Sequence, residues 1–174
     1  NLSDILLGLK LFFKFVKKGG FYIIEDFKHP NYHQYNRNID HVLIDELLKN
    51  FEETHCSPKS YNNHLGVPLS LSSLNKNHKY GVFEVGMSKK GEINNLTKLV
   101  RPHIGIITNI GEAHIENFKN LRDIADAKGE IINNIQRGGT LILNKDDKYF
   151  NYLRKKAIKK NLKVVSYGKD KDSY

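Results

Sequence analysis

Tyr80-Gly-Val-Phe-Glu-Val-Gly86 is a strand-like apolar run that ends in an acid. A second run, Ile104-Gly-Ile-Ile-Thr-Asn109, leads into Ile110-Gly-Glu-Ala-His114, and a helix-like stretch then delivers Ala127-Lys-Gly-Glu130. Short, continuously apolar strands alternating with helices predict an α/β fold, a parallel sheet flanked by helices. In such sheets, ligands bind in the crevice outside the carboxyl ends of the strands. An acid and a histidine at two strand ends, with a lysine one helix later, are residue types able to hold a divalent metal and a phosphate there. No G-x-x-x-x-G-K-[ST] loop, the usual triphosphate cradle, lies upstream of these runs.

The coarse pattern extends in both directions. Apolar residues at helical spacing predict helices over 4–18 and 42–51. Gly19-Gly20 is a stop signal, and Phe21-Tyr-Ile-Ile24 reads as a short strand followed by Glu25-Asp26. The polar stretch Thr54–Asn63 reads as irregular. A helix opened by Pro68 is expected over Val67–Leu74, and others over Glu92–Leu99, Leu121–Ile135 and Phe150–Lys160. Strands are expected at 80–85, 104–108, Thr140–Leu143 and Val164–Tyr167.

The chain has 174 residues, 39% of them hydrophobic, and a mean hydropathy of -0.53. That suffices for one domain with a real core. No apolar run reaches the roughly 18 residues that a membrane-spanning helix needs. The segment Ile5–Val16 is interrupted by Lys10 and Lys14 and reads as an amphipathic helix rather than a signal peptide. The single cysteine, Cys56, excludes an internal disulfide and suits a reducing, cytoplasmic setting. The net charge is +9. With no RNA-binding aromatic motif, zinc-ligand spacing or helix-turn-helix pattern, the lysines read as solvated helix faces. Neither a nucleic acid nor a membrane is expected as a partner.

Five motifs in order resemble the Mur ligase family. They are Tyr61-Asn-Asn-His-Leu-Gly-Val-Pro-Leu-Ser70, Phe83-Glu-Val-Gly-Met-Ser-Lys-Lys-Gly-Glu-Ile93, Val100-Arg-Pro-His-Ile-Gly-Ile-Ile-Thr-Asn-Ile-Gly-Glu-Ala-His114, Ala127-Lys-Gly-Glu-Ile131 and Leu143-Asn-Lys-Asp-Asp147. The resemblance runs from about residue 54 to 168 and is greatest to the members that add D-alanyl-D-alanine. It implies the central, ATPase domain of a cytoplasmic ligase of peptidoglycan synthesis. ATP and Mg²⁺ would be its cofactors, with UDP-N-acetylmuramoyl-peptide and D-alanyl-D-alanine as substrates. By the same resemblance, Glu84 and His114 are metal ligands, and His114 and Lys128 are catalytic. Lys128 is either carbamylated, to hold a second metal, or in direct contact with phosphate. Asn109, Asn144 and Asp146 would meet the nucleotide, and Asn62 and Asn63 the nucleotide-sugar peptide. Read locally, Glu84 is equally a cap or surface ion-pair partner, and Asn144 and Asp146 are equally helix N-caps.

Residues 1–53 carry a weaker resemblance. Phe12-Phe-Lys-Phe-Val-Lys-Lys-Gly-Gly-Phe-Tyr-Ile-Ile-Glu-Asp26 is similar to the late part of class I S-adenosylmethionine-dependent methyltransferases. The division expected is therefore a methyltransferase-like or foreign segment, 1–53, joined near 52–57 to a partial Mur ligase central domain, 54–174. Such a chimera of truncated parts, without a phosphate loop, is expected to be inactive alone. The alternatives are a truncated methyltransferase or a non-catalytic nucleotide-binding remnant. The strand 21–24 is expected to fill an edge of the sheet, as part of a unit that packs poorly on the rest.

Overall fold

A computed structural model of the protein describes the backbone of residues 21–25 and, in full, residues 53–58, 61–112 and 115–168. The expected helices over 4–18 and 42–51, and His114, lie outside these residues. The strands are β1 (Phe21–Glu25), β2 (Thr54–Cys56), β3 (Tyr80–Val85), β4 (Ile104–Ile107), β5 (Thr140–Asn144) and β6 (Lys163–Tyr167). They form one sheet in the order β2-β3-β1-β4-β5-β6, with every neighbouring pair parallel. The helices are α1 (Gly66–Ser72), α2 (Glu92–Val100), α3 (Leu121–Lys128) and α4 (Phe150–Lys159).

Parallel strands are covered on both faces, so their sequences are apolar throughout rather than alternating. All four residues of β4 are buried. Ile107, Leu141 and Leu143 join Phe83, Ile93, Leu96, Ile124, Ile131 and Leu153 in the main core. Ile106 and Ile142, one residue away and so on the opposite face, are also buried. Each such side chain stabilises the fold by about 1.5–3 kcal/mol relative to exposure. Gly105 lets the cover come close: a Cβ there would lie 2.8 Å from Ile135 Cδ1 and 2.9 Å from Ile131 Cδ1.

Three expectations are corrected. Phe21–Glu25 is not an edge strand: it pairs with β3 on one side and β4 on the other. The apolar run Phe21–Ile24 suits a central slot as well as an edge, and pairing with both neighbours decides between them. Thr54–Cys56 is not irregular but the strand β2, paired with Tyr80–Val82. It escapes sequence reading because it is three residues long, polar and on the sheet edge. His55 is buried there by a hydrogen bond between Nε2 and Ser70 Oγ, 2.8 Å, and Ser70 Oγ donates to Ser57 Oγ, 3.1 Å. The expected helix Leu121–Ile135 stops as an α-helix at Lys128 and continues as a 3₁₀ turn, Gly129–Asn133. Gly129 faces α4, where an added Cβ would lie 3.0 Å from Leu153 Cδ2.

The order places a topological switch at β1. The chain visits β2 and β3 on one side of it, then crosses to β4, β5 and β6 on the other. Ligand crevices in open parallel sheets form at the carboxyl side of such a point.

Candidate active site at the carboxyl ends of the central strands

Ile24 of β1 is level with Glu84 of β3 and with Ile106 of β4. Glu84 is thus one residue short of the end of β3, and Thr108 and Asn109 extend just past β4. The two flanking strands are separated by β1 alone, about 10 Å at the usual interstrand spacing. The structure therefore brings Glu84 and Asn109 to the same end of the sheet, on either side of its central strand.

On the β4 side, three successive residues are gripped through their backbones. The Tyr167 hydroxyl donates to Thr108 O, 3.0 Å. Lys128 Nζ donates to Asn109 O, 3.0 Å. Ile110 N donates to Asp147 Oδ2, 2.6 Å, and Asp147 Oδ1 also accepts from Tyr149 N, 2.7 Å. Lys128 ends α3 and is only 1% exposed. An ammonium taken from water at that depth costs several kcal/mol unless oxygens solvate it, and the Asn109 carbonyl is one that does. The flanking Ala127 and Gly129, both buried, make room for it.

On the β3 side, the half-buried Glu84 accepts at Oε1 from Asn62 Nδ2, 2.9 Å. Gly86 N donates to Asn62 O, 2.7 Å, and the missing side chain of Gly86 admits the Asn62 amide, 3.1 Å from where a Cβ would stand. Asn62 is thus placed by the acid's own strand. Asn63 serves α1 instead: its Oδ1 accepts from Leu65 N and Gly66 N, both 3.0 Å.

Asn144, the last residue of β5, and Asp146, just past it, lie one strand further out. Asn144 Oδ1 accepts from Asp146 N, 3.0 Å, closing a local turn. Neither caps α4; the Asp147 carboxylate receives the Tyr149 amide at its start. A glycine at 168 leaves the β6 end open beside Asp146, whose Oδ1 lies 3.0 Å from where a Cβ would stand.

Among the described residues, no three His, Cys, Asp or Glu side chains form a metal-binding group. Glu84 fits a Mg²⁺ ligand in kind: it is a carboxylate with one oxygen fixed by an amide and the other still able to donate lone pairs to a hard cation.

Other carboxylates near the site are scaffold. Glu130 accepts from Gly91 N, 2.7 Å, and Asn94 N, 3.0 Å, satisfying amides at the start of α2. Glu92 accepts from Ser88 N, 2.6 Å, and that bond holds its carboxyl below the ordinary value. Lys90 and Asp123 pair at 2.5 Å, raising the lysine and lowering the acid. Burial would raise Asp126, but the Tyr152 hydroxyl, Lys156 and Arg122 leave it lowered. Sequence reading gave no role to Glu130 or Tyr167. Glu130 stands inside a quoted motif; Tyr167 carries no signal beyond being an aromatic in a strand.

Residues 41–174 match the Mur ligase middle domain. The chain belongs to the Mur ligase family. The match begins thirteen residues before the expected boundary at 54 (54 − 41 = 13). Over 131 residues the chain is 35% identical to the UDP-N-acetylmuramoyl-tripeptide–D-alanyl-D-alanine ligase of Buchnera aphidicola, covering 75% of this chain and 28% of that protein. The ligase of the same name from Bacillus subtilis is 39% identical over 105 residues, 60% of this chain and 23% of that one. A crystal structure of MurF from Acinetobacter baumannii superposes with a TM-score of 0.71 at 29% identity, covering 84% of this chain and 30% of that chain. The chain thus spans about a quarter of the length of the curated relatives it matches. Its parallel sheet flanked by helices is the architecture expected of a Mur ligase middle domain.

Proposed function

We propose that this chain is the middle-domain part of a cytoplasmic ligase that joins D-alanyl-D-alanine to UDP-N-acetylmuramoyl-tripeptide in peptidoglycan synthesis, using ATP and Mg²⁺. The observation that carries the reading is the placement of Glu84 near the carboxyl end of β3 and of Asn109, held by Lys128 of α3, just past the end of β4, on either side of β1. In the reaction, the peptide carboxylate takes the γ-phosphoryl group of ATP and ADP leaves; the incoming amine then displaces phosphate from the acyl phosphate. Positioning and charge neutralisation supply the catalysis, and no protein nucleophile is needed. Bound Mg²⁺ would neutralise the crowded oxygens. Glu84 would hold it, with His114 as the second ligand that the family resemblance supplies. Asn62 orients the Glu84 carboxylate and borders the side where the nucleotide-sugar peptide would lie. Asn109, Asn144 and Asp146 line the β4–β5 side for the nucleotide.

The division into a foreign N-terminal segment and a partial ligase domain is part of this proposal, with the boundary drawn back from 54 to 41, where the family match begins. Its support is the central strand itself. Residues 26–53, which follow β1, contain no glycine and no G-x-x-x-x-G-K-[ST]. A phosphate loop at that place provides several charge-assisted hydrogen bonds, each contributing roughly 1.5–3 kcal/mol. The chain alone is therefore expected to show negligible ligation. A complete ligase whose own segment is replaced by residues 54–168 should turn over UDP-N-acetylmuramoyl-tripeptide, and the same graft carrying Lys128→Ala or Glu84→Ala should not. A grafted enzyme indifferent to both substitutions would refute the assignment.

A further inference from the structure

The Asn109 carbonyl and the Ile110 N–H belong to one peptide plane. Lys128 Nζ donates to the oxygen of that plane, 3.0 Å, and Asp147 Oδ2 accepts from its nitrogen, 2.6 Å. The two charged groups come from distant parts of the chain, α3 and the turn after β5, and neither contact needs the other to form. We propose that Asp147 is a positioning residue for Lys128: it stabilises the buried ammonium through the Asn109–Ile110 peptide, without touching it. A carboxylate accepting an amide proton pushes electron density through the peptide onto the carbonyl oxygen, which becomes a better acceptor for a cation. Bonds in such chains strengthen one another, most of all away from water. The arrangement also fixes the plane. Asp147 is itself held by the Tyr149 amide, 2.7 Å, and the preceding peptide is tied to β6 by the Tyr167 hydroxyl on Thr108 O, 3.0 Å. Asn109, between these ties, has its backbone fixed from three elements. That is the preorganisation a binding side chain requires.

The catalytic meaning of this relay rests on the ligase reading; the relay does not. Nuclear magnetic resonance of the whole chain without nucleotide therefore tests it separately. Asp147→Asn keeps the size of the side chain and removes its charge. The Ile110 amide proton should move upfield and lose exchange protection, and the Lys128 ε-methylene resonances should move with it, while the methyls of Leu141 and Ile131 stay in place. The converse variant, Lys128→Met, should move the Ile110 amide although residue 128 does not touch that atom. Tyr167→Phe should loosen Thr108 with a smaller effect on Lys128. An Ile110 amide that moves in Asp147→Asn while Lys128 does not would overturn the proposal. Should Asp147→Asn fail to fold, an Ile110 amide unmoved by Lys128→Met overturns it equally. A graft of residues 54–168 that does not ligate, with both couplings intact, would count against the ligase reading and leave the relay standing.

Discussion

The two sides of the crevice are built to different standards. On the β4 side, a fully buried lysine, a carboxylate and a hydroxyl hold three successive residues of one loop. On the β3 side, a half-buried acid rests on one amide, from a residue that is tied back to Gly86. A buried cation cannot be left half-solvated, so its surroundings are over-determined. A half-buried carboxylate is still reached by water, so its surroundings can be sparse. The comparison teaches that the cationic side should tolerate loss of its neighbours poorly but hold its shape, whereas the acidic side depends on the small elements at the sheet edge.

The largest effect should come from breaking that edge. A Cβ on Gly66 would lie 2.3 Å from Tyr61 Cα, a backbone atom that cannot swing aside. Gly66→Ala should destabilise by about 3 kcal/mol or more, lowering the melting temperature by about 6–12 °C. Resonances of 61–63 and Glu84 should move, and those of Lys128 should not. Gly105→Ala meets only the flexible ends of Ile131 and Ile135, so thermal melts should show a smaller loss, about 1–2 kcal/mol.

Acid should separate the two sides as well. Burial, and secondarily the nearby His78, hold His55 below the ordinary histidine value of about 6.5. The Ser70 contact opposes this in part. The folded state then binds fewer protons than the unfolded chain just below that value. Stability should be full above it and fall as the pH drops toward the lowered value, by about 1.4 kcal/mol per unit of depression. Urea melts at pH 7.5 and 5.5 should show the loss, and His55→Gln should remove it. The α3–α4 contact should be indifferent over the same range, since Asp126 is lowered and stays ionised. Equal loosening of Tyr152 at pH 5.5 would blur the distinction.

The smallest effect is expected at Glu84→Gln. The Asn62 amide keeps a carbonyl oxygen to donate to, so chemical denaturation should shift by no more than about 0.5 kcal/mol. A larger loss would mean that Glu84 is structural rather than held ready for a ligand.

Much of this was legible in the residues. The largely apolar runs at 80–85, 104–108 and 140–143, alternating with helices, read as buried parallel strands, and Glu84, Asn109 and Lys128 stand at their ends or one helix later. What stayed hidden depends on partners far away in sequence. Thr54–Cys56 becomes a strand only because β3 accepts it and Ser70 satisfies His55. Phe21–Glu25 is as apolar as an edge strand could be, and nothing in it says that β3 and β4 close on both its sides. Asp147 reads as part of the segment after the third strand, a helix cap or a nucleotide neighbour; its bond to Ile110 spans 37 positions.

The crevice at the carboxyl ends of β3 and β4 flanks a central strand whose following residues, 26–53, carry no phosphate loop. Isothermal titration of Mg²⁺-ATP into the chain tests this most directly. No saturable heat is expected up to millimolar nucleotide. A dissociation constant in the micromolar range would contradict it.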